Sequence, residues 1–382
     1  MMKRSIITCF IVFAALSCKQ KYLLPGNLPS TGYLVVEGAI NSGSGPTTIH
    51  LSRTIKIADT ASVNNELHAT LIVEGNDNSS YPLTETGNGI YSLGQLALSN
   101  TRKYRLHIKT TDNKEYLSDF TAVKNTPAID SITWYENNGV HIYINAHDAT
   151  GNTRYYRWEF EETWEYHSTF QTNLKYTRDS RGEVSGVEYR FPTTIADFTL
   201  YRCWRSGNSS GILIGSSAKL SQDLIYLPLQ FIEKDSWKLS VLYSINVRQY
   251  ALTPDEYDFY TRMKKNTENF GSLFDSQPSE LNGNIHCITN PAEVVIGYIG
   301  ITNPQEKRIY ISKGELPDWN YQQECNLIEV QNNPDSIRPY NNMIPTGPSK
   351  FSGFFISAFF VSDAVCVDCT IRGTNVKPAF WP

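Results

Sequence analysis

The chain has 382 residues, 19% of them charged and 12% aromatic, with a formal net charge of -4. This length gives room for two or three domains, and a charge content below the roughly 25% of average soluble domains speaks against long charged helical faces. A mildly acidic chain without a basic patch interleaved with aromatics is excluded as a nucleic-acid binder, because phosphate contact needs a basic surface.

The N-terminus is the most informative segment. Lys3 and Arg4 precede an almost wholly apolar run, Ser5 to Leu16, which leads through Ser17 into Cys18. A basic start, an apolar centre and a small-residue cleavage site make a secretory signal peptide over residues 1–17. The Ala-Leu-Ser-Cys ending resembles a bacterial lipobox, in which the cysteine becomes the lipidated first residue. The apolar run is shorter than the about 20 residues of a membrane span and is followed at once by Lys19-Gln20-Lys21. Cys18 is therefore the expected lipidation site. Residues 18–30 form a Pro/Gly-bearing tether, and the membrane is the expected partner through the acyl chains. Lys19 in place of Asp after the cysteine favours the outer membrane; the leaflet stays open.

Residues 31–125 read as strands with turn punctuation. Tyr33–Ile40, Thr47–Ser52, Ala69–Glu74, Gly89–Ser92 and Lys103–Lys109 alternate or run apolar, as half-buried strands do. Gly75-Asn-Asp-Asn-Ser is a turn cluster, and Thr110–Glu115 is a hairpin turn into Tyr116-Leu-Ser. Short strands about ten residues apart indicate an immunoglobulin-like β-sandwich.

Pro127 marks the expected boundary, and residues 126–382 form a larger second β-rich domain. Ser131–Tyr135 and Gly139–Ala146 make a hairpin around Asn137-Asn138. Arg154–Tyr166 is a long strand with Tyr156, Trp158 and Phe160 on one register and Arg157, Glu159 and Glu161 on the wet one. Tyr189–Phe191, Tyr201–Trp204, Ile212–Ile214, Ile225–Leu229 and Lys238–Arg248 continue the pattern. One prominent helix near 253–268 interrupts it: Thr253 caps, Pro254 takes the first helical position, and Asp255 and Glu256 favour the positive end of the dipole. The fold class is thus mainly β, with two domains and one helix.

Seven cysteines remain to be placed. Cys9 leaves with the signal and Cys18 carries lipid. Cys203, Cys287, Cys325, Cys366 and Cys369 are disulfide candidates in an oxidising compartment, with one thiol left over. Cys366-Val-Asp-Cys369 has the spacing of a zinc or redox motif, but a zinc site wants a second matching pair and a redox motif wants a βαβ context. A bond from Cys325 to one of this pair closes a loop of about forty residues and is worth roughly 3–4 kcal/mol. Cys203 with Cys287 is the natural remaining pair. The terminal Phe380 and Trp381 are expected to dock on the second domain.

The chain has no nucleophile elbow, no His-Glu-x-x-His and no P-loop. Glu159, Glu161, Glu162 and Glu165 read as a solvated strand face rather than a glycosidase pair. His141 and His147 flank one strand, but surface or packing roles outweigh metal ligation, so neither metal nor cofactor is expected. Trp158, Trp164, Tyr166, Tyr201 and Trp204 are the ligand-binding candidates, since exposed aromatics hold sugars or peptides by stacking; filling the core is the competing role.

Phe270–Pro278, Leu281–Ile285, Asn290-Pro291, Val295–Tyr298 and the closing Cys366–Cys369 and Gly373–Trp381 blocks carry a resemblance. With the lipobox start and the Ile129–Ile132 junction, the chain resembles the domain-of-unknown-function (DUF) 4249 family of Bacteroidota lipoproteins. That resemblance implies an outer-membrane lipoprotein associated with TonB-dependent transporters, and it brings no catalytic residues. A non-enzymatic binding or accessory module for such a transporter or its cargo is the leading expectation. An exported hydrolase acting on glycan or peptide and a structural envelope protein are the alternatives.

Overall fold

Apolar–polar alternation produces a run of strands in the computed structural model, which describes residues 32–55, 63–191, 198–268, 281 and 283–382. The signal segment, Cys18, the tether and Phe270–Pro278 lie outside the described residues. The strands are β1 (Leu34–Asn41), β2 (Thr47–Arg53), β3 (Thr70–Gly75), β4 (Ser80–Gly87), β5 (Ile90–Leu93), β6 (Lys103–Lys109) and β7 (Glu115–Ser118). They pair in the order β1-β2-β5-β4 and β3-β6-β7, the strand order of a constant-type immunoglobulin domain. The two faces are stitched at one edge, because β4 pairs with β3 through Ser80–Leu83 and with β5 further along. Leu34, Ile49, Leu51, Leu71, Val73 and Ile108 are fully buried between them, each contributing about 1.5–3 kcal/mol relative to an exposed side chain.

The second unit is also a sandwich. Its strands are β8 (Ile129–Glu136), β9 (Gly139–Ala146), β10 (Tyr155–His167), β11 (Leu174–Arg178), β12 (Val184–Tyr189), β13 (Arg202–Asn208), β14 (Leu213–Ser216), β15 (Ile225–Glu233) and β16 (Leu242–Ala251). The three-stranded sheet β8-β9-β15 packs on a larger sheet centred on β10, which pairs with β13, β14 and β16. The strand expected from Lys238 starts later, at Leu242, because Ser236 caps a 3-10 turn over Trp237–Leu239.

Helix α1 (Pro254–Glu268) follows. Thr253 caps it, with Oγ1 accepting from the Glu256 N–H at 3.2 Å. Its buried residues are Glu256 and Phe259. A side chain at Gly300 would meet the Glu256 carboxylate at 2.5 Å. Burial pushes this carboxyl up to about 7, against the pull of Arg157 and the Thr253 backbone N–H. The folded state therefore holds a proton that the unfolded chain releases near pH 4.5, and stability falls as pH rises from about 4.5 to 7. Glu256→Gln is expected to be more stable than wild type by about 2–4 kcal/mol at pH 8 and nearly equal at pH 4. Urea midpoints at the two pH values check this; a pH-independent difference contradicts it.

After α1 the chain returns to the first sandwich, so that unit is not confined to residues 31–125. β17 (Ile285–Cys287) pairs with β7, while β18 (Val295–Gly297) and β19 (Ile301–Asn303) run parallel to β1. β20 (Gln305–Ser312) then crosses back and pairs with β16. A third, smaller core forms where hairpin β11–β12 meets the sheet of β21 (Ile328–Gln331), β22 (Ile344–Ser352) and β23 (Phe355–Ser362). Among the described residues, no helix is long and apolar enough to cross a membrane.

Candidate functional site

The long strand β10 positions most of the residues that the sequence singled out. Its even positions point between the two sheets. Trp158, Trp164 and Tyr166 are consequently core residues, with 1%, 4% and 1% of their surface exposed, whereas Trp204 stands opposite Glu165 on the outer side and is buried there, 4% exposed, beside Thr374. The Trp158 Nε1 donates to Gln249 Oε1 at 2.8 Å. None of the four forms an exposed platform, and the core role holds for Trp158, Trp164 and Tyr166. Tyr201 alone is half-buried, with its ring 4.6 Å from that of His167.

An exposed aromatic surface lies on the opposite sheet. The outer register of β8-β9-β15 carries Tyr135, His141, Tyr143, Tyr226 and Phe231. Tyr143 stacks on Tyr226 at 4.6 Å and on Tyr135 at 5.6 Å, and Tyr135 stacks on His141 at 5.1 Å. His141 meets Phe231 at 4.6 Å, so five rings form one cluster. Tyr226, Phe231 and Tyr135 remain 59%, 48% and 44% exposed. Gly139 makes the assembly fit: its φ is +134°, and an added Cβ would lie 2.5 Å from the Phe231 ring. The sequence did carry a signal for this face. Val140, Ile142 and Ile144 alternate with His141, Tyr143 and Asn145, and two aromatics on the wet register of a strand are unusual.

The carboxylates of β10 divide by register. Glu162 is on the inner side, not on a solvated face. It is buried and accepts from Tyr243 Oη at 2.9 Å and Lys238 Nζ at 2.5 Å. Glu159 and Glu161 lie on the outer side and line a cavity of about 370 Å³ with Asn208, Ser209, Asn246 and Arg248. Glu165, also on the outer side, is covered. Arg202 clamps it at 2.6 and 2.9 Å, His167 reaches it at 3.1 Å, and the Trp381 Nε1 donates to it at 2.9 Å. Burial pushes the Glu165 carboxyl up, but these donors outweigh it and hold it at about 2. No cluster of His, Cys and acidic residues suited to a metal occurs among the described residues. His147 pairs with Asp130 at 2.7 Å instead.

The family described as "Domain of unknown function (DUF4249)" matches residues 24–308. The chain belongs to the DUF4249 family. No curated protein matches it. Among solved structures, Chitinase ChiA74 from Bacillus thuringiensis is similar at 11% identity, covering 53% of this chain and 30% of that one, with a TM-score of 0.16. The chain thus spans less than a third of that protein, and so low a score carries no argument.

In this DUF4249 protein the cysteine block lies beyond the matched segment and forms a clasp. Cys325 bonds Cys366, and Cys203 bonds Cys369. The expected Cys203–Cys287 pair does not form. Cys287 sits on β17, buried in the first sandwich, whereas Cys203 is in the core of the second; Cys287 is the free thiol. Thr374 extends the clasp by bridging to Trp204 through two backbone hydrogen bonds, and the buried Trp381 ends it on Glu165.

Proposed function

We propose that this protein is a non-catalytic binding module, anchored to the outer membrane by lipid on Cys18, that docks a TonB-dependent transporter through the outer face of β8-β9-β15. The five-ring cluster is the observation that carries this reading. An antiparallel sheet facing water normally shows polar residues there, and contiguous exposed apolar surface marks interaction sites. Rings stacked on one another have spent most of their flat faces internally. What they still present is edges, hydroxyls and the end faces of Tyr226 and Phe231, which suits a protein surface, where aromatic residues act as anchors. The anchor supplies the location, and the DUF4249 resemblance supplies the class of partner.

Two outcomes are expected. Cys18→Ala releases the protein from membranes or traps its precursor. Crosslinking in native membranes recovers a TonB-dependent barrel with the wild type and loses it with the double variant Tyr143→Ser/Phe231→Ser, which stays anchored. Recovery of the lipoprotein alone under mild detergent, or undiminished capture by the double variant, contradicts the docking role.

A further inference from the structure

We propose that the open outer floor of the β10 sheet binds a neutral saccharide. This site is separate from the aromatic face, and its test does not depend on capturing a protein partner.

The strand register builds the floor from two cross-strand rows. Glu159 stands opposite Arg248, which stands opposite Glu306. The next row is Asn208, Glu161, Asn246 and Arg308. The first row is tied down. Tyr250 Oη donates to Glu159 at 2.8 Å, and Arg248 Nε donates to Glu306 at 2.7 Å. Asn246 Nδ2 also reaches Glu306, at 3.2 Å. The side chains of Glu161 and Asn208 hold no hydrogen bond among the described residues, although both line the cavity. An acceptor-only carboxylate and an amide that both donates and accepts are thus left facing the same space.

Charge and shape decide the ligand class. Counting Arg157 and Glu37 at the margin, three guanidinium groups (Arg157, Arg248, Arg308) meet four carboxylates (Glu37, Glu159, Glu161, Glu306), so the site disfavours an anion and offers no surplus of positive charge to hold one. It suits a polar, uncharged molecule with many hydroxyls. A peptide strand is disfavoured, because strand addition needs an unpaired sheet edge and β10 and β16 are paired on both sides. Toward one end of the floor Arg157 lies over the Tyr250 and Tyr260 rings at 4.4 and 4.8 Å, and toward the other Phe380 packs on Arg308 at 3.7 Å. A second cavity of about 330 Å³ shares Glu159 and Ser209 with the first and adds Tyr260, Ile212 and Met263, an apolar wall for the C–H face of a sugar ring. Both volumes fall within the range of ligand pockets, about 300–1,000 Å³.

A glycan microarray carrying neutral and uronic-acid oligosaccharides, followed by calorimetric titration of the strongest hit, tests the site on the full-length protein extracted in mild detergent. Saturable binding to a neutral oligosaccharide is expected, weakened about tenfold or more by Glu161→Ala and unchanged by Tyr226→Ser on the aromatic face. Glu161 is half-exposed and unpartnered, so its loss leaves the fold intact, and Asn208→Ala serves as a second variant. The proposal is overturned if folded protein binds nothing on the array, if it binds only the acidic sugars, or if neither Glu161→Ala nor Asn208→Ala weakens binding.

Discussion

Replacing Cys203 and Cys369 together by alanine is expected to lower stability by roughly 5 kcal/mol in the chain-entropy account and the melting midpoint by about 6 °C. The reason is the length of the loop. These cysteines are 166 residues apart, against 41 for Cys325 and Cys366, and closure of the longer loop removes more freedom from the unfolded chain. The bond also holds the segment that carries Thr374 and Trp381 against β13. The shorter disulfide is worth roughly 4 kcal/mol by the same reasoning, so the paired variants should rank in that order. Thermal denaturation measures the ranking, and nonreducing peptide mapping measures the connectivity. A map joining Cys203 to Cys287, or a Cys287 that reacts with thiol reagents in the native state, contradicts this account, since Cys287 is buried in the other sandwich.

Local signals in the sequence reported local structure well. Alternation in Thr47–Ser52 and Lys103–Lys109 located β2 and β6, and Thr253-Pro254-Asp255-Glu256 located the start of α1 to the residue. What stayed hidden was set by pairings far apart in the chain. β17, β18 and β19 have three residues each, too few for a periodicity of two to register. Their return to the first sandwich was therefore invisible, and Cys287 was assigned to the wrong core. The same limit governed the candidate site. Alternation in β9 shows that His141 and Tyr143 share a face, but not that this face stays open. Aromatic density drew attention instead to Trp158, which the second sheet covers, and to Trp204, which lies under the segment carrying Thr374. Glu165 looked like a surface carboxylate because the residue that covers it, Trp381, lies 216 positions away.

Trp381→Ala is expected to cost about 3–5 kcal/mol, the range for truncating a buried tryptophan. Phe380→Ala should cost far less, since its ring is 39% exposed and serves mainly to cover Arg308. The two substitutions thus separate docking of the tail from simple loss of an aromatic. Solution pH supplies a second signature. Glu165 is held at about 2 in the fold by His167, Arg202 and Trp381, below the value near 4.5 of an unperturbed glutamate. A carboxyl depressed by folding stabilises the native state above its unfolded pKa, and that contribution disappears as pH falls from about 4.5 to 2. Removing the Trp381 N–H takes away one of the three donors and lets the carboxyl rise. The stability gap between wild type and Trp381→Ala should therefore be widest near pH 7 and shrink as the solution is acidified through that window. Urea unfolding at pH 7 and pH 3 reads both effects. A gap of constant size across the two pH values means that the indole stabilises by packing alone, and a gap near zero at pH 7 means that the tail is not docked.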